Sequence, residues 1–162
     1  QVRSILKNSI RNVYSIKNTY PELRNPNLTD KEQVFINSKL QVDDYVHFSG
    51  VSNEELNEFY NRALCLVYPS SYEGFGLPLL EAQSAGCPII AMNTSSIPEV
   101  VEDSGILLEE ESPELIAGQI KLLLDNDYRN NLVEKGLKNV KRFTWKNTFQ
   151  KTFDFYKELI NQ

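Results

Sequence analysis

Two carboxylates bracket a glycine-rich turn near the middle of this chain. They are Glu73 and Glu81, within Ser70-Ser71-Tyr72-Glu73-Gly74-Phe75-Gly76-Leu77-Pro78-Leu79-Leu80-Glu81-Ala82. An ionised carboxylate only accepts hydrogen bonds and has room for several. A pair of them on either side of a turn therefore suits a ligand rich in hydroxyls. Gly74 and Gly76 lack a Cβ, so the backbone there can take positive φ and a ligand can come close. Pro78 suits the first turn of a helix, where its missing N–H costs nothing. The amides near Phe75, Gly76 and Leu77 would then point into the loop and favour an anion such as a diphosphate. Acids flanking an anion site fit a molecule with hydroxyls on both sides of its phosphates, as in a nucleotide sugar. The same residues also fit a plainer arrangement, a tight strand–helix connection with Glu73 as a cap and Glu81 on a solvated face.

Other residues carry less chemistry. His47 is the only histidine; it alternates within a short predicted strand, and one ring without a partner makes no acid–base mechanism, so it reads as structural. Asp125-Asn126-Asp127 has the Asp-x-Asp pattern of some metal sites, but it falls between two predicted helices, where Asp127 is placed as an N-cap. No metal site is expected. Cys65 and Cys87 sit in apolar runs, which favours buried free thiols in a reducing compartment over a disulfide.

The elements that must position the two acids are legible from pattern. Ala63 to Tyr68 is a short apolar run, read as a buried strand, and Leu77 to Ala85 reads as a helix. In open α/β sheets, ligands bind at the carboxyl ends of strands, which is where the glycine-rich turn falls. Upstream, Ile10, Val13, Tyr14 and the stem of Lys17 space as one face of a helix over residues 8–19. A Pro/Asn loop follows, then Thr29 or Asp30 as the cap of a helix to about Leu40. Tyr45 to Phe48 reads as a strand, and Ser52-Asn53-Glu54-Glu55 as a capping box opening a helix to about Arg62. Cys87 to Met92 reads as another strand. Ser96 and Glu99 form a second apparent capping box, with Pro98 in the first turn. Gly105 to Leu108 closes the strands. Helices follow from Ser112 to about Leu124, over roughly 127–141, and over roughly 145–160, the last with Phe149, Phe153, Tyr156 and Leu159 as an apolar stripe. This alternation predicts an α/β fold, a Rossmann-like parallel sheet flanked by helices.

The chain has 162 residues, enough for one domain with a core. Its net charge is −5 and its pI about 5.0, against nucleic acid or an anionic membrane as the main partner. No run is apolar enough to cross a bilayer and no signal-peptide pattern opens the chain, so a cytoplasmic location is expected.

The motifs together resemble the retaining glycosyltransferases of GT-B family 4, the glycosyl transferases group 1. EGFGLPLLEA over Glu73–Ala82 is similar to that family's signature. The flanks agree: Tyr45 to Leu56, Ala85-Gly86-Cys87-Pro88-Ile89-Ile90-Ala91, Ser96-Ile97-Pro98-Glu99-Val100 and Arg142-Phe143-Thr144-Trp145. The likeness is strongest from Val46 to Tyr156. It implies half of a GT-B enzyme, with residues 1–162 as the C-terminal, donor-binding domain and the N-terminal acceptor domain absent. It implies Glu73 as the catalytic acid that grips the transferred sugar, and Glu81 as the partner of ribose hydroxyls. Gly74, Phe75, Gly76 and Leu77 would face the donor, Val51 would border the nucleobase, and Arg3 and Lys7 would reach the diphosphate. The implied partners are a nucleoside diphosphate sugar and, through the missing domain, an acceptor glycan or glycolipid, with peripheral membrane attachment through that domain; no cofactor is needed. Relatives place an apolar strand and a Gly-rich turn after the segment like Tyr20-Pro21-Glu22-Leu23. Here either that sheet strand is absent near residues 24–28 or residues are missing between Leu23 and Leu28. Ser95-Ser96, where many relatives carry Gly-Gly, is a variant of mannosyltransferase-like branches. Two other readings stand beside this one: an interaction or regulatory module that keeps the half-fold without binding a ligand, and a GT-B-like epimerase or phosphorylase, which would carry other pocket residues.

Overall fold

The computed structural model describes residues 13–17, 29–39 and 45–161. The chain divides into two compact units, Gln1–Glu58 and Phe59–Gln162.

In the first unit, strand β1 (Val13–Lys17) pairs in parallel with β2 (Tyr45–Ser49), in register from Val13 opposite Tyr45 to Lys17 opposite Ser49. This corrects the helix expected over residues 8–19. Val13, Tyr14 and Ile16 are β-branched or aromatic and fit a pleated surface. Their helical spacing is overridden by a parallel partner that lies far along the chain. The segment 24–28 lies outside the described residues. Helix α1 (Asp30–Lys39) is capped by Thr29, not Asp30. The Thr29 amide and hydroxyl donate to Glu32 Oε2 at 2.8 and 2.9 Å, and the Glu32 amide donates back to the hydroxyl at 3.3 Å. His47 stands half-buried in β2, opposite Ser15. Helix α2 (Asn53–Arg62) runs across the division between the units. It opens on the expected capping box: the Ser52 amide donates to Glu55 Oε2 at 2.8 Å and the Glu55 amide to Ser52 Oγ at 3.2 Å.

The second unit is built on a parallel sheet in the order β3-β4-β5, namely Leu66–Tyr68, Ile89–Met92 and Ile106–Leu108. The central strand β4 is buried along its whole length, as a parallel strand covered on both faces must be. Its side chains alternate. Ile90 and Met92 join Leu108, Leu123 and Leu132 in one apolar cluster, packed by Cys65, Val67, Ile116 and Ile120. Ile89 is fully buried, and it comes close to Gly105 beside Val101. Fully burying each such side chain contributes about 1.5–3 kcal/mol.

Helix α3 (Leu77–Ser84) packs against β3, β4, the short helix α4 (Ile97–Val101) and α6 (Asn126–Asn139). A dry polar network ties these elements together. Gln83 Nε2 donates to Ser104 Oγ at 2.6 Å and to its carbonyl at 3.2 Å. Asn139 Nδ2 donates at 2.8 Å both to Gln83 Oε1 and to the Val100 carbonyl, while Arg142 Nη1 donates to Asn139 Oδ1 at 2.6 Å.

Helix α5 (Pro113–Leu122) is capped by Ser112, which accepts from the Leu115 amide. Helix α6 is capped by Asp125, which accepts from the Tyr128 amide at 2.8 Å. Asp127 lies inside that helix, so the expected cap moves back two residues: the carboxylate that reaches an orphan first-turn amide is the one ahead of it. After a 3₁₀ turn at Val140–Arg142, Thr144 caps α7 (Trp145–Ile160). The predicted stripe of α7, Phe149, Phe153, Tyr156 and Leu159, is exposed, as are Trp145 and Ile160. Among the described residues, no helix is long and apolar enough to cross a membrane.

Candidate functional site

The glycine-rich turn leaves the carboxyl end of β3 and enters α3 at its N-terminus. Gly76 is the N-cap residue, with φ +94° and ψ +49°, in the left-handed region that glycine takes without strain. A Cβ there would sit 2.9 Å from Leu79 Cδ1, on a leucine that is wholly buried. Pro78 occupies the first turn as expected, and no side chain caps the helix. No backbone carbonyl among the described residues accepts from the amides of Gly74, Phe75, Gly76 or Leu77. Those donors sit at the positive end of α3, where an anion is favoured. Gly74 differs from expectation. Its φ is not positive, and nothing lies within 4 Å of where its Cβ would be. Its small size keeps that edge of the turn open, and the unusual backbone angle falls to Gly76 alone.

Glu73 is half-buried and held from both sides. The Tyr68 hydroxyl donates to its Oε1 at 2.6 Å and Ser70 Oγ donates to the same oxygen at 2.7 Å. Its backbone is clasped by the loop after β4. Ser95 Oγ donates to the Glu73 carbonyl at 2.7 Å and accepts from its amide at 3.3 Å, and Ser96 Oγ donates to that carbonyl at 2.9 Å. Thr94 Oγ1 adds a bond to the Ser71 carbonyl at 3.3 Å. This corrects the second capping box: Ser96 is the N-cap of α4 by position, but its hydroxyl caps nothing there, because the Glu73 carbonyl takes it instead. Ser95 sits at φ +55°, a strained angle for a residue with a Cβ, held by its two bonds to Glu73.

Glu81 is exposed, one turn into α3. Tyr68 shows that the two acids share a neighbourhood. Its phenol is pushed above the ordinary tyrosine range by burial first, then by the hydrogen bond and charge of Glu73, with further contributions from Tyr60 and the charge of Glu81. Tyr60 is buried and is likewise raised by burial and by Glu81. Glu73 thus bonds this phenol directly at the end of β3, while Glu81 acts on it only through its charge. On the other side of the turn, Phe75 meets Phe143 edge to face, with ring centroids 5.7 Å apart and planes at 76°. The guanidinium of Arg142 lies 5.0 Å from the Phe143 ring and pairs with Glu102 at 2.7 Å.

The structure therefore brings Glu73, Gly74, Phe75, Gly76, Leu77 and Glu81 together in the second unit. Val51 follows β2 in the first unit. Arg3 and Lys7 lie outside the described residues. Sequence reasoning passed over Tyr68, Ser70 and Phe143 as parts of this site. A hydroxyl three residues before a carboxylate, as in Ser70 and Glu73, was a local signal that could have been used; Phe143 was marked only by its place in the family-like Arg142-Phe143-Thr144-Trp145.

A parallel α/β sheet flanked by helices, with a helix N-terminus and two acids at one strand's carboxyl end, is the half-fold of the GT-B class. Residues 29–139 match the family described as glycosyl transferases group 1, and the chain belongs to it. It is 39% identical over 119 residues to O-antigen chain mannosyltransferase B of Escherichia coli, covering 72% of this chain and 31% of that protein. Its fold is similar to sucrose-phosphate synthase from Thermosynechococcus elongatus, with a TM-score of 0.78 at 22% identity over 99% of this chain and 41% of that one. It is also similar to the C-terminal domain of a glycosyl transferase group 1 family protein (LpcC) from Francisella tularensis, with a TM-score of 0.60 at 26% identity over 68% of this chain and 59% of that one. The chain spans under a third of the length of the curated relatives it matches.

Proposed function

We propose that residues 1–162 are the donor-binding domain of a longer, retaining glycosyltransferase that uses a nucleoside diphosphate sugar and no metal. The observation that carries this reading is the turn itself: amides without a backbone acceptor among the described residues at the head of α3, between one acid held by hydroxyls and a second acid open to solvent. In the reaction, the bond between the sugar's anomeric carbon and the diphosphate oxygen breaks. A bond from the acceptor hydroxyl forms at the same carbon, and the acceptor's proton passes to the departing diphosphate, whose oxygen has gained the electron pair of the broken bond.

Negative charge appears on the departing diphosphate, where the amides at Gly74 to Leu77, with Arg3 and Lys7, stabilise it. Glu73 holds hydroxyls of the transferred sugar and stabilises positive charge developing on its ring. Glu81 accepts from the ribose hydroxyls, and Val51 borders the base. The donor sugar is a hexose. The name of the E. coli relative and the Ser95-Ser96 pair favour mannose. The acceptor, a glycan or glycolipid, is held by the rest of the longer protein, in the cytoplasm, so this chain alone binds donor weakly and transfers nothing.

Calorimetric titration of GDP, UDP and ADP into the chain tests this. One of the three is expected to bind, and Glu81→Ala is expected to weaken it about 10-fold, as for one lost hydrogen-bonding charge. No binding of any of them to the unaltered chain would sink the reading.

A further inference from the structure

Both side-chain bonds to Glu73 land on one oxygen. Tyr68 and Ser70 donate to Oε1 at 2.6 and 2.7 Å, whereas Oε2 takes no donor among the described residues and is open to solvent. Hydroxyl-to-carboxylate bonds of that length are among the strong ones. Two of them from different directions fix the plane of the carboxylate as well as its place. The backbone of Glu73 is also secured by Ser95 and Ser96, and Ser70 Oγ additionally lies 3.1 Å from the Tyr72 carbonyl, so the bond from Tyr68 is the one the turn does not need to keep its course.

We propose that Tyr68 and Ser70 are positioning residues that aim Glu73 Oε2 at the hydroxyls of the transferred sugar, setting affinity for the sugar half of the donor and not for its diphosphate half. The inference rests on the donor reading given above. The two halves are separable because the diphosphate is met by the amides of the turn and the ribose by Glu81, whereas the hydroxyls of Tyr68 and Ser70 bond Glu73 Oε1 and, for Ser70, the Tyr72 carbonyl. Tyr68 is neutral at pH 7, with its phenol held above the ordinary range by burial and by Glu73. Replacing it with phenylalanine therefore removes a donor without changing the charge near Glu81.

The test is a ratio of dissociation constants, measured calorimetrically on the 162-residue chain with GDP and GDP-mannose, UDP and UDP-glucose, and ADP and ADP-glucose. For whichever pair binds, Tyr68→Phe and Ser70→Ala should each raise the ratio of sugar-nucleotide to nucleotide constants about 5- to 10-fold, with the bare nucleotide constant held within about twofold. Ser70→Thr, which keeps the hydroxyl, should restore the ratio. A merely structural role would move both constants together. Equal weakening of both, or an unchanged ratio in the two variants, overturns the positioning role while leaving the donor reading intact. If the unaltered chain binds none of the six, the donor reading falls and this inference falls with it. The contact itself is checked without ligand by tyrosine ring-carbon NMR at neutral pH: Glu73→Gln should shift the Tyr68 ring-carbon signal next to the hydroxyl, and no change would count against the bond.

Discussion

Two polar networks meet at α3, one at each end, and they finish differently. At its C-terminal end, Gln83, Ser104 and Asn139 are 2%, 2% and 7% exposed, and each amide oxygen and nitrogen among them has a partner. At its N-terminal end, Glu73 has one oxygen that accepts two hydrogen bonds and another that accepts none from the described residues, beside amides that no described backbone carbonyl satisfies. A buried polar group left unpaired costs about 1–3 kcal/mol, so a dry network must be complete to be tolerated. An incomplete network at the surface costs little, because water fills it, and the same incompleteness is what a ligand uses. The contrast separates scaffold from site by whether each polar group is satisfied and dry, since polar side chains make up both networks.

Substitutions should divide along that line. The largest loss of stability is expected in the dry network. Asn139→Leu keeps the volume but strips the partners of Gln83 Oε1, the Val100 carbonyl and Arg142. Chemical denaturation should report a loss of about 2–3 kcal/mol. At the boundary between the networks, Gly76→Ala forces a Cβ onto Leu79 at a left-handed backbone angle. A loss of about 1–2 kcal/mol is expected, together with weaker nucleotide binding. In the open network, Glu73→Gln should change stability by less than about 0.5 kcal/mol and yet reduce sugar-nucleotide affinity. A loss as large as that of Asn139→Leu would erase the distinction.

The dry side can also be probed by pH. Burial pushes the thiols of Cys65 and Cys87 from 9.0 up to about 12. Below pH 9 both folded and unfolded chains keep these protons, and stability is unaffected. Above it the unfolded thiols ionise while the folded ones do not, so stability should fall as pH rises from about 9 toward 12. Denaturation midpoints across that window check this, and Cys65→Ala should flatten the slope.

Much of this protein is written locally. The capping pairs Thr29–Glu32 and Ser52–Glu55, Pro78 behind a glycine, and the continuous apolar run of β4 each encode their element within a few residues. The two acids around Gly76 were legible for the same reason: a turn of that type needs glycine, and its neighbours are set by the chain. Other features carry no such mark. Val13 to Lys17 has a helical spacing and becomes a strand through a partner thirty-two residues on, from Val13 to Tyr45. Ser96 has the spacing of a cap and spends its hydroxyl on a carbonyl twenty-three residues away. Phe143 reaches Phe75 only because α6 packs on α3.

The sequence by itself determined the family, the alternation of strands and helices, and which residues stand at the turn, because propensity, capping and periodicity act over one or two turns of chain. The tertiary structure alone decided which loop clasps the backbone of Glu73, which ring meets Phe75, and which polar groups are dry. Those depend on hydrogen bonds and burial between segments far apart in the chain, and local spacing holds no record of which distant group will arrive.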